Sequence, residues 1–185
     1  MKDILLAKRY AKSLFELSIE KGELEEVNND MALIARVMRE NKELRTIIGN
    51  NVIRRSKKEN IIRKIFETHI QPSTLTFLYF LINKKRENHL YTVTLVFLKM
   101  YLDYKNIVIA TITTAVAIDE ETKTEILNRF SRETDKTIQI ENKINPKILG
   151  GFVMTLDDYQ YDASIKKMID RLQTEFKVNL FKKGF

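Results

Sequence analysis

The stretch YLDYKNIVIATITT, residues 101–114, decides the fold, because the spacing of apolar side chains changes within it. Up to Tyr104 the apolar residues recur every three or four positions, as they do on one face of an α-helix. From Ile107 to Ile112 the chain is rich in β-branched residues that alternate between two faces, as in a strand. We therefore place a domain boundary after Lys105 and predict an α+β fold.

The N-terminal domain, residues 1–105, is predicted to be a six-helix bundle. Helical spacing recurs in six segments, and Gly22, Gly49 and Pro72 stand between segments. The fifth segment, which contains residues 77–82, is apolar all round, so more than one of its sides must be covered by the bundle or by a partner. Short connections of this kind are typical of a compact bundle.

Two helix starts in this domain carry side chains that can cap a helix. Asn41 precedes the third segment, and Ser56 with Glu59 has the spacing of a capping box before the fourth segment. We expect these side chains to accept hydrogen bonds from free backbone N–H groups.

The C-terminal domain, residues 106–185, is predicted to be a small α+β domain with the order strand, helix, strand, strand, helix. Alternation predicts strands near residues 107–112, 138–140 and 152–156, and Asp119 can cap the first helix. The last helix carries an apolar stripe that extends further than so small a sheet can cover, which indicates a partner surface. The stripe consists of Ile165, Met168, Ile169, Leu172 and Phe176.

Composition excludes several classes of protein. With 185 residues, 44% of them hydrophobic, the chain can form one or two small cores, and its 5 Gly and 2 Pro favour helices. It has no Cys and only His69 and His89, which excludes disulfides and thiolate chemistry and leaves little for a metal site. We predict no cofactor and no metal. No apolar stretch is long enough to span a membrane and no signal peptide is evident, so we expect a soluble, cytoplasmic chain.

The net charge of +7 lies entirely in the first domain, where 20 Lys and Arg face 13 Asp and Glu. Much of it belongs to two clusters, which could meet nucleic acid, anionic lipid or an acidic protein, or form a solvated helix face. The clusters consist of Arg54, Arg55, Lys57, Lys58, Arg63 and Lys64, and of Lys84, Lys85 and Arg86.

No constellation for catalysis is evident in either domain. Gly150 and Gly151 indicate a turn more than an anion site, since no basic or hydroxyl residue follows them directly. The acidic pair Asp157 and Asp158 favours a turn over paired catalytic carboxylates. An alternative is a basic helical nucleic-acid-binding protein, with residues 56–66 as a recognition helix, whose affinity for DNA would fall steeply with salt. A small enzyme is a third class.

Several motifs, in order along the chain, resemble the ATP synthase subunit delta family, whose mitochondrial counterpart confers oligomycin sensitivity. RYAKSLFEL, residues 9–17, is similar to that family's first helix, and LINKKR, residues 81–86, is similar to its middle segment. The motifs ITTA, NPKILGGF and YDASI resemble its C-terminal domain; they occupy residues 112–115, 145–152 and 161–165. The resemblance covers essentially the whole chain.

This resemblance implies a non-catalytic stator subunit of the proton-translocating F-type ATP synthase. Such a subunit links the catalytic alpha/beta head to the peripheral stalk of b subunits, so that rotation driven by the proton-motive force is coupled to ATP synthesis. It implies no catalytic residues, no small-molecule substrate and no nucleic acid. It also implies a location on the cytoplasmic face of the plasma (inner) membrane, with attachment only through the complex.

The resemblance further implies two partner sites. The N-terminal helix of an alpha subunit would lie in a groove between the first and fifth helices, and the C-terminal end of the b subunits would meet the second domain. The expected groove residues are Ala7, Tyr10, Ala11, Leu14, Phe77, Phe80, Leu81 and Lys84. The expected stalk contacts are Gly150, Gly151, Leu172 and Phe176. Lys84, Lys85 and Arg86 are expected to make charged contacts with neighbouring subunits.

Overall fold

The computed structural model describes residues 2–116, 137–156 and 159–179. The chain divides into two compact units, residues 1–104 and residues 105–185. The helix predicted after Asp119 and the turn predicted at Asp157 and Asp158 lie outside the described residues.

The described part of the first unit is all helical, with six α-helices and one short 3-10 helix. The helices are α1 (Lys2–Lys21), α2 (Leu24–Glu40), α3 (Lys42–Gly49), α4 (Arg55–Phe66), α5 (Pro72–Asn83) and α6 (Leu90–Tyr104), with the 3-10 helix at Glu87–His89. Gly22, at a φ of +71°, ends α1 in the left-handed backbone conformation that glycine adopts without strain. Pro72 is the first residue of α5, where its missing N–H costs no hydrogen bond.

The core of the first unit forms from one face of each long helix. Phe97 on α6 is fully buried, and Phe15 on α1 packs edge-to-face against it with 5.6 Å between ring centroids. Helix α5, which is apolar on all sides, is only partly covered by this core. Leu78 and Leu81 are buried in it, whereas Phe80 points outward and is 43% exposed. The apolar surface that α5 leaves uncovered is therefore concentrated near its C-terminal end.

The side-chain caps predicted for α3 and α4 are wrong, since neither helix has a side-chain cap in the structure. The side chain of Asn41 donates to the carbonyl oxygen of Val37 at the end of α2 and does not accept a bond from α3. Residue Glu59 accepts from Arg55 at 2.6 Å, and α4 has no side-chain cap. Asn41 thus bonds a backbone carbonyl and Glu59 bonds a charged side chain, each four residues earlier in the chain, and these contacts replace the predicted caps.

The cap of α5 comes from a distant part of the chain. The carboxylate of Asp30 on α2 accepts from the backbone N–H of Gln71 at 2.9 Å and from the hydroxyl of Thr74 at 2.6 Å. Asp30 is only 7% exposed, so both bonds are shielded from water. The start of α5 is thereby attached to α2.

The end of α5 is attached to α4 in a similar way. Arg55 on α4 donates to the side-chain oxygen of Asn83, the last residue of α5. One turn further along α4, Lys58 forms an ion pair with Glu87 of the 3-10 helix, and the two side chains are 2% and 7% exposed. A lysine this deeply buried needs a partner of opposite charge, and Glu87 supplies it.

The second unit is built on a four-stranded sheet with the strand order β2-β1-β3-β4. The strands are β1 (Ile107–Thr114), β2 (Thr137–Ile144), β3 (Gly151–Leu156) and β4 (Tyr159–Ser164). β1 pairs in parallel with β2 and antiparallel with β3, so it lies inside the sheet, and every second residue of β1 is buried. This confirms an α+β fold with a helical part followed by a small sheet.

The fourth strand corrects the predicted order of elements. β4 pairs antiparallel with β3 in the register Phe152 with Ala163. Its sequence, YQYDAS, alternates but contains no β-branched or large aliphatic residue, and its tyrosines are exposed at this sheet edge, Tyr159 by 80%, so the usual composition of a strand is absent. The helix α7 (Ile165–Asn179) follows directly, and the hydroxyl of Ser164 caps it by accepting from the N–H of Lys167 at 3.2 Å.

Candidate partner-binding surfaces

An open apolar groove of about 440 Å³ runs between α1 and α5. Its floor is apolar, since Leu14 and Phe77 are only 1% and 9% exposed. Leu17 and Phe80 stand at the sides and are 41% and 43% exposed, which is unusual for large apolar side chains. The remaining lining residues are Ser13, Lys21, Pro72, Ser73 and Thr76.

One end of this groove is formed by a cluster of three side chains. The ring of Tyr10 packs edge-to-face on Phe80 with 6.1 Å between centroids, and the ammonium group of Lys84 lies 5.6 Å from the centre of the Phe80 ring. These contacts hold the Phe80 ring in place while leaving part of it exposed. A ligand helix would meet a preformed aromatic surface there.

The structure separates the eight expected groove residues into three groups. Leu14, Phe77 and Phe80 line the groove, while Tyr10 and Lys84 support it through Phe80. The other three, Ala7, Ala11 and Leu81, have no exposed surface and belong to the core, so they cannot form a groove wall here. Small residues one turn apart let a neighbouring helix approach closely, and α1 packs most extensively against α6.

Sequence reasoning missed six of the lining residues, and a signal for some of them existed. Leu17 and Lys21 continue the row of Tyr10 and Leu14 along α1 at steps of three and four residues. On α5, Pro72 and Thr76 precede Phe80 at steps of four. Following these rows from the aromatic residues would have found both walls; Ser13 and Ser73 flank them.

The two basic clusters of the sequence meet at one end of the helical unit. The bond from Arg55 to Asn83 places the start of α4 beside the end of α5. Lys84, Lys85 and Arg86 are exposed, as is Lys57, whereas Lys58 is buried and neutralised by Glu87. The exposed cations form a positively charged surface.

In the second unit, Gly151 has a backbone role. Its φ is +69°, and a Cβ atom at this position would lie 2.3 Å from the carbonyl oxygen of Ala163 on β4. Gly150 accepts a backbone hydrogen bond from Ile165 at 3.1 Å, and a Cβ atom there would lie 2.6 Å from the Ile165 side chain. Both glycines therefore permit close packing where β3 and α7 begin.

The apolar stripe of α7 is exposed along the whole described helix. Leu172 is 46% and Phe176 is 69% exposed, and the stripe also includes Ile165, Met168 and Ile169. The stripe therefore forms a continuous exposed apolar face on the second unit, from Ile165 to Phe176.

Near the start of α7, hydrogen bonds from the hydroxyl and backbone N–H of Ser164 lower the pKa of Asp162 below its ordinary value.

The described residues contain neither a metal-binding cluster nor a membrane-spanning helix. No group of three or more His, Asp or Glu side chains that could hold a metal occurs in residues 2–116, 137–156 and 159–179. Within the same ranges, no helix has both the length and the apolar character needed to cross a bilayer.

Comparison with known proteins shows the family to which the chain belongs. A family model described as ATP synthase delta (OSCP) subunit matches residues 6–176. The ATP synthase subunit delta of Cytophaga hutchinsonii is 34% identical over 176 residues, covering 95% of this chain and 96% of that protein. That of Flavobacterium psychrophilum is 32% identical, covering 90% and 94%. A chain in the cryo-EM structure of the Toxoplasma gondii mitochondrial ATP synthase hexamer shares the fold, with a TM-score of 0.70, 20% identity, and 92% and 97% coverage. The chain therefore belongs to the ATP synthase delta (OSCP) subunit family and is a subunit of an F-type ATP synthase.

Proposed function

We propose that this chain is a non-catalytic stator subunit that ties the catalytic head of the ATP synthase to its peripheral stalk. The observation that carries the proposal is the open apolar groove between α1 and α5, with Phe80 held half exposed at one end. A separate exposed stripe lies on α7 of the second unit. A chain with an unpartnered apolar surface on each of its units can join two partners.

The proposed occupant of the α1–α5 groove is the N-terminal helix of an alpha subunit. Recognition of a helix in a groove depends on a few apolar anchors at helical spacing. Leu17 and Phe80 are 41% and 43% exposed, so a ligand helix that covers the rest of each side chain can gain about 1 kcal/mol from each. That gain offsets the conformational entropy that a flexible segment loses when it becomes ordered.

The proposed partner of the second unit is the C-terminal end of the b subunits. Leu172 and Phe176 would contact that partner, because both are large apolar side chains that remain 46% and 69% exposed on α7. Gly150 and Gly151 would contribute by shaping the backbone at which α7 begins. In this arrangement the chain is peripheral, on the cytoplasmic face of the plasma membrane, and is held there only through the complex.

Calorimetric titration of the full chain with the N-terminal segment of the same organism's alpha subunit tests the groove. We expect saturable one-to-one binding and a negative heat-capacity change, because apolar surface is buried. Phe80→Asp should weaken binding about tenfold or more, the equivalent of roughly 1.4 kcal/mol. Phe80 is chosen over the buried Phe77 so that the chain remains folded.

Ile47→Asp is the matched control, since Ile47 is 38% exposed and lies on α3, outside the lining of the α1–α5 groove. A scrambled peptide controls for composition, and circular dichroism confirms folding. Failure of the folded chain to bind, or an equal loss with Ile47→Asp, would contradict the assignment of this groove.

We also propose that the positively charged end of the helical unit contacts acidic surfaces of neighbouring subunits. Lys85→Glu with Arg86→Glu should slow assembly with the head several-fold at low salt, and the effect should shrink as salt screens the charges. Association kinetics at two ionic strengths measure this. An unchanged rate and salt dependence would remove the proposed role of Lys84, Lys85 and Arg86.

A further inference from the structure

A second apolar groove lies on the other side of α1, between α1 and α6. Its volume is about 620 Å³, larger than that of the α1–α5 groove. It is lined over about three helical turns on each side, from Ile4 to Lys12 on α1 and from Thr92 to Asp103 on α6. Nothing in the proposed function uses it.

The floor of this α1–α6 groove is apolar and only partly covered. Ile4 and Leu95 are 53% and 45% exposed, and Val96 and Met100 are half-buried between them and the core. Two large exposed apolar side chains on adjacent helices form one continuous surface that water wets unfavourably. An open groove of this length fits a helix better than a compact small molecule.

The rim of the α1–α6 groove is positively charged. Lys8 and Lys12 stand on α1 and Lys99 on α6, all exposed, against the single acid Asp103. Lys12 lies 3.6 Å from Glu16 on its own helix, an exposed pair that leaves its charge largely available. Within the described residues, Lys8 and Lys99 have no ion pair, so cations without partners flank the apolar floor on both sides.

We propose that the α1–α6 groove is a second docking site, whose occupant is an acidic amphipathic helix of another ATP synthase subunit. The apolar stripe of such a helix would cover Leu95 and Ile4, and carboxylates on both flanks would meet Lys8 and Lys99. A basic amphipathic helix fits the same floor but places like charges against the rim. The site is distinct from the α1–α5 groove because the two open on different sides of α1.

Thiol labelling tests the proposal in the assembled enzyme. The chain has no cysteine, so Leu95→Cys introduces the only thiol of this subunit. We expect Cys-directed labelling at this position to be about tenfold slower or more in the ATP synthase than in the free chain, because a covered thiol reacts only when the site opens. Phe80→Cys, labelled in parallel, reports separately on the α1–α5 groove.

Charge reversal then separates the proposed occupant from other coverings. Lys8→Glu with Lys99→Glu should restore fast labelling at position 95 in the complex and leave position 80 unchanged. Arg36→Glu with Arg39→Glu is the control, since these exposed arginines lie on α2 and belong neither to the groove nor to the charged end. A photoactivatable cross-linker on the introduced Cys should capture an acidic segment of another subunit.

Four results would overturn the proposal. Equal labelling in the free and assembled chain would mean that nothing docks in the groove. Slow labelling already in the free chain, or cross-linking to residues 105–185, would mean that this chain covers the groove itself. Capture of a basic or uncharged segment would refute the charge argument. Each result is independent of the labelling at position 80.

Discussion

The ion pair between Lys58 and Glu87 shows that one residue of a basic cluster can be buried while the rest of the cluster is exposed. Lys58 belongs to a run of cations that the sequence treats alike, yet it is 2% exposed and the others in its run are exposed. An ion pair taken out of water adds little net stability, but each partner makes the burial of the other tolerable. The pair therefore determines where Glu87 and the 3-10 helix lie.

Removing one partner of this pair should destabilise the helical unit strongly. Glu87→Ala leaves an uncompensated buried ammonium group and should lower the free energy of unfolding by about 3–5 kcal/mol. The double change Lys58→Met with Glu87→Met should regain most of the loss, since it buries apolar groups of similar size. Urea unfolding followed by circular dichroism measures both, and a double variant as unstable as Glu87→Ala would contradict this account.

Glycine at position 151 offers a second test at the scale of one residue. Gly151 and Gly22 have nearly the same φ, +69° and +71°, but only at Gly151 would a Cβ atom meet backbone, 2.3 Å from the oxygen of Ala163. Gly22→Ala should cost about 1–2 kcal/mol, the strain of a left-handed backbone. Gly151→Ala should cost more, because strands β3 and β4 must also separate.

Urea unfolding of each variant, followed by a probe in its own unit, makes the comparison. Equal losses at the two positions would show that the sheet edge relaxes without cost.

For single residues, helical spacing predicted which apolar side chains share a helix face, but not how deeply each side chain is buried. Phe77, Phe80 and Leu14 were placed at the α1–α5 groove, and the structure puts them in its lining. Ala7 and Ala11 lie on the same stripe of α1 but are fully covered. The difference depends on how neighbouring helices pack, which the spacing within one helix does not contain.

Among the elements, α5 depends most on contacts distant in sequence. The sequence predicted local caps for α3 and α4, but the structure caps α5 with Asp30, 41 residues before Gln71. A cap across this separation has no local signature, because any acidic residue of the chain could supply it. β4 was missed for a related reason, since its place at the sheet edge comes from pairing with β3 and not from its own apolar pattern.

Asp30→Ala should loosen the start of α5. Two shielded hydrogen bonds are lost and the N–H of Gln71 is left without its acceptor, so we expect a cost of about 1–3 kcal/mol. Asp30→Asn keeps one acceptor oxygen and should cost less. Hydrogen exchange at Thr74 and Leu75 should accelerate in the alanine variant, and unchanged exchange there would show that α5 is held by packing alone.

At the scale of the whole molecule, each unit has buried apolar residues of its own. The apolar cluster that includes Phe97 consists of residues of the helical unit, and Ile112 is fully buried in the sheet unit. Recognition of the family needed neither core, because it rested on motifs spread over both units. The structure divides after residue 104, and the change of apolar spacing had placed the boundary one residue later, after Lys105.

Core truncations should therefore act on one unit at a time. Phe97→Ala should lower the stability of the helical unit by about 3–5 kcal/mol and leave protection in β1 unchanged. Ile112→Ala should have the reverse pattern, with a cost of about 2–5 kcal/mol. Native-state hydrogen exchange, analysed unit by unit, tests this, and a loss of protection spread evenly over both units would refute it.

The two attachments of α5 have a mechanical consequence. In the proposed function, a load that a partner applies at Phe80 would act on a helix fixed at its start by Asp30 and at its end by Arg55. The load would then be shared by α2 and α4, and both attachments would have to break before α5 could separate. A helix tied at one end would instead unzip bond by bond under a much smaller tension.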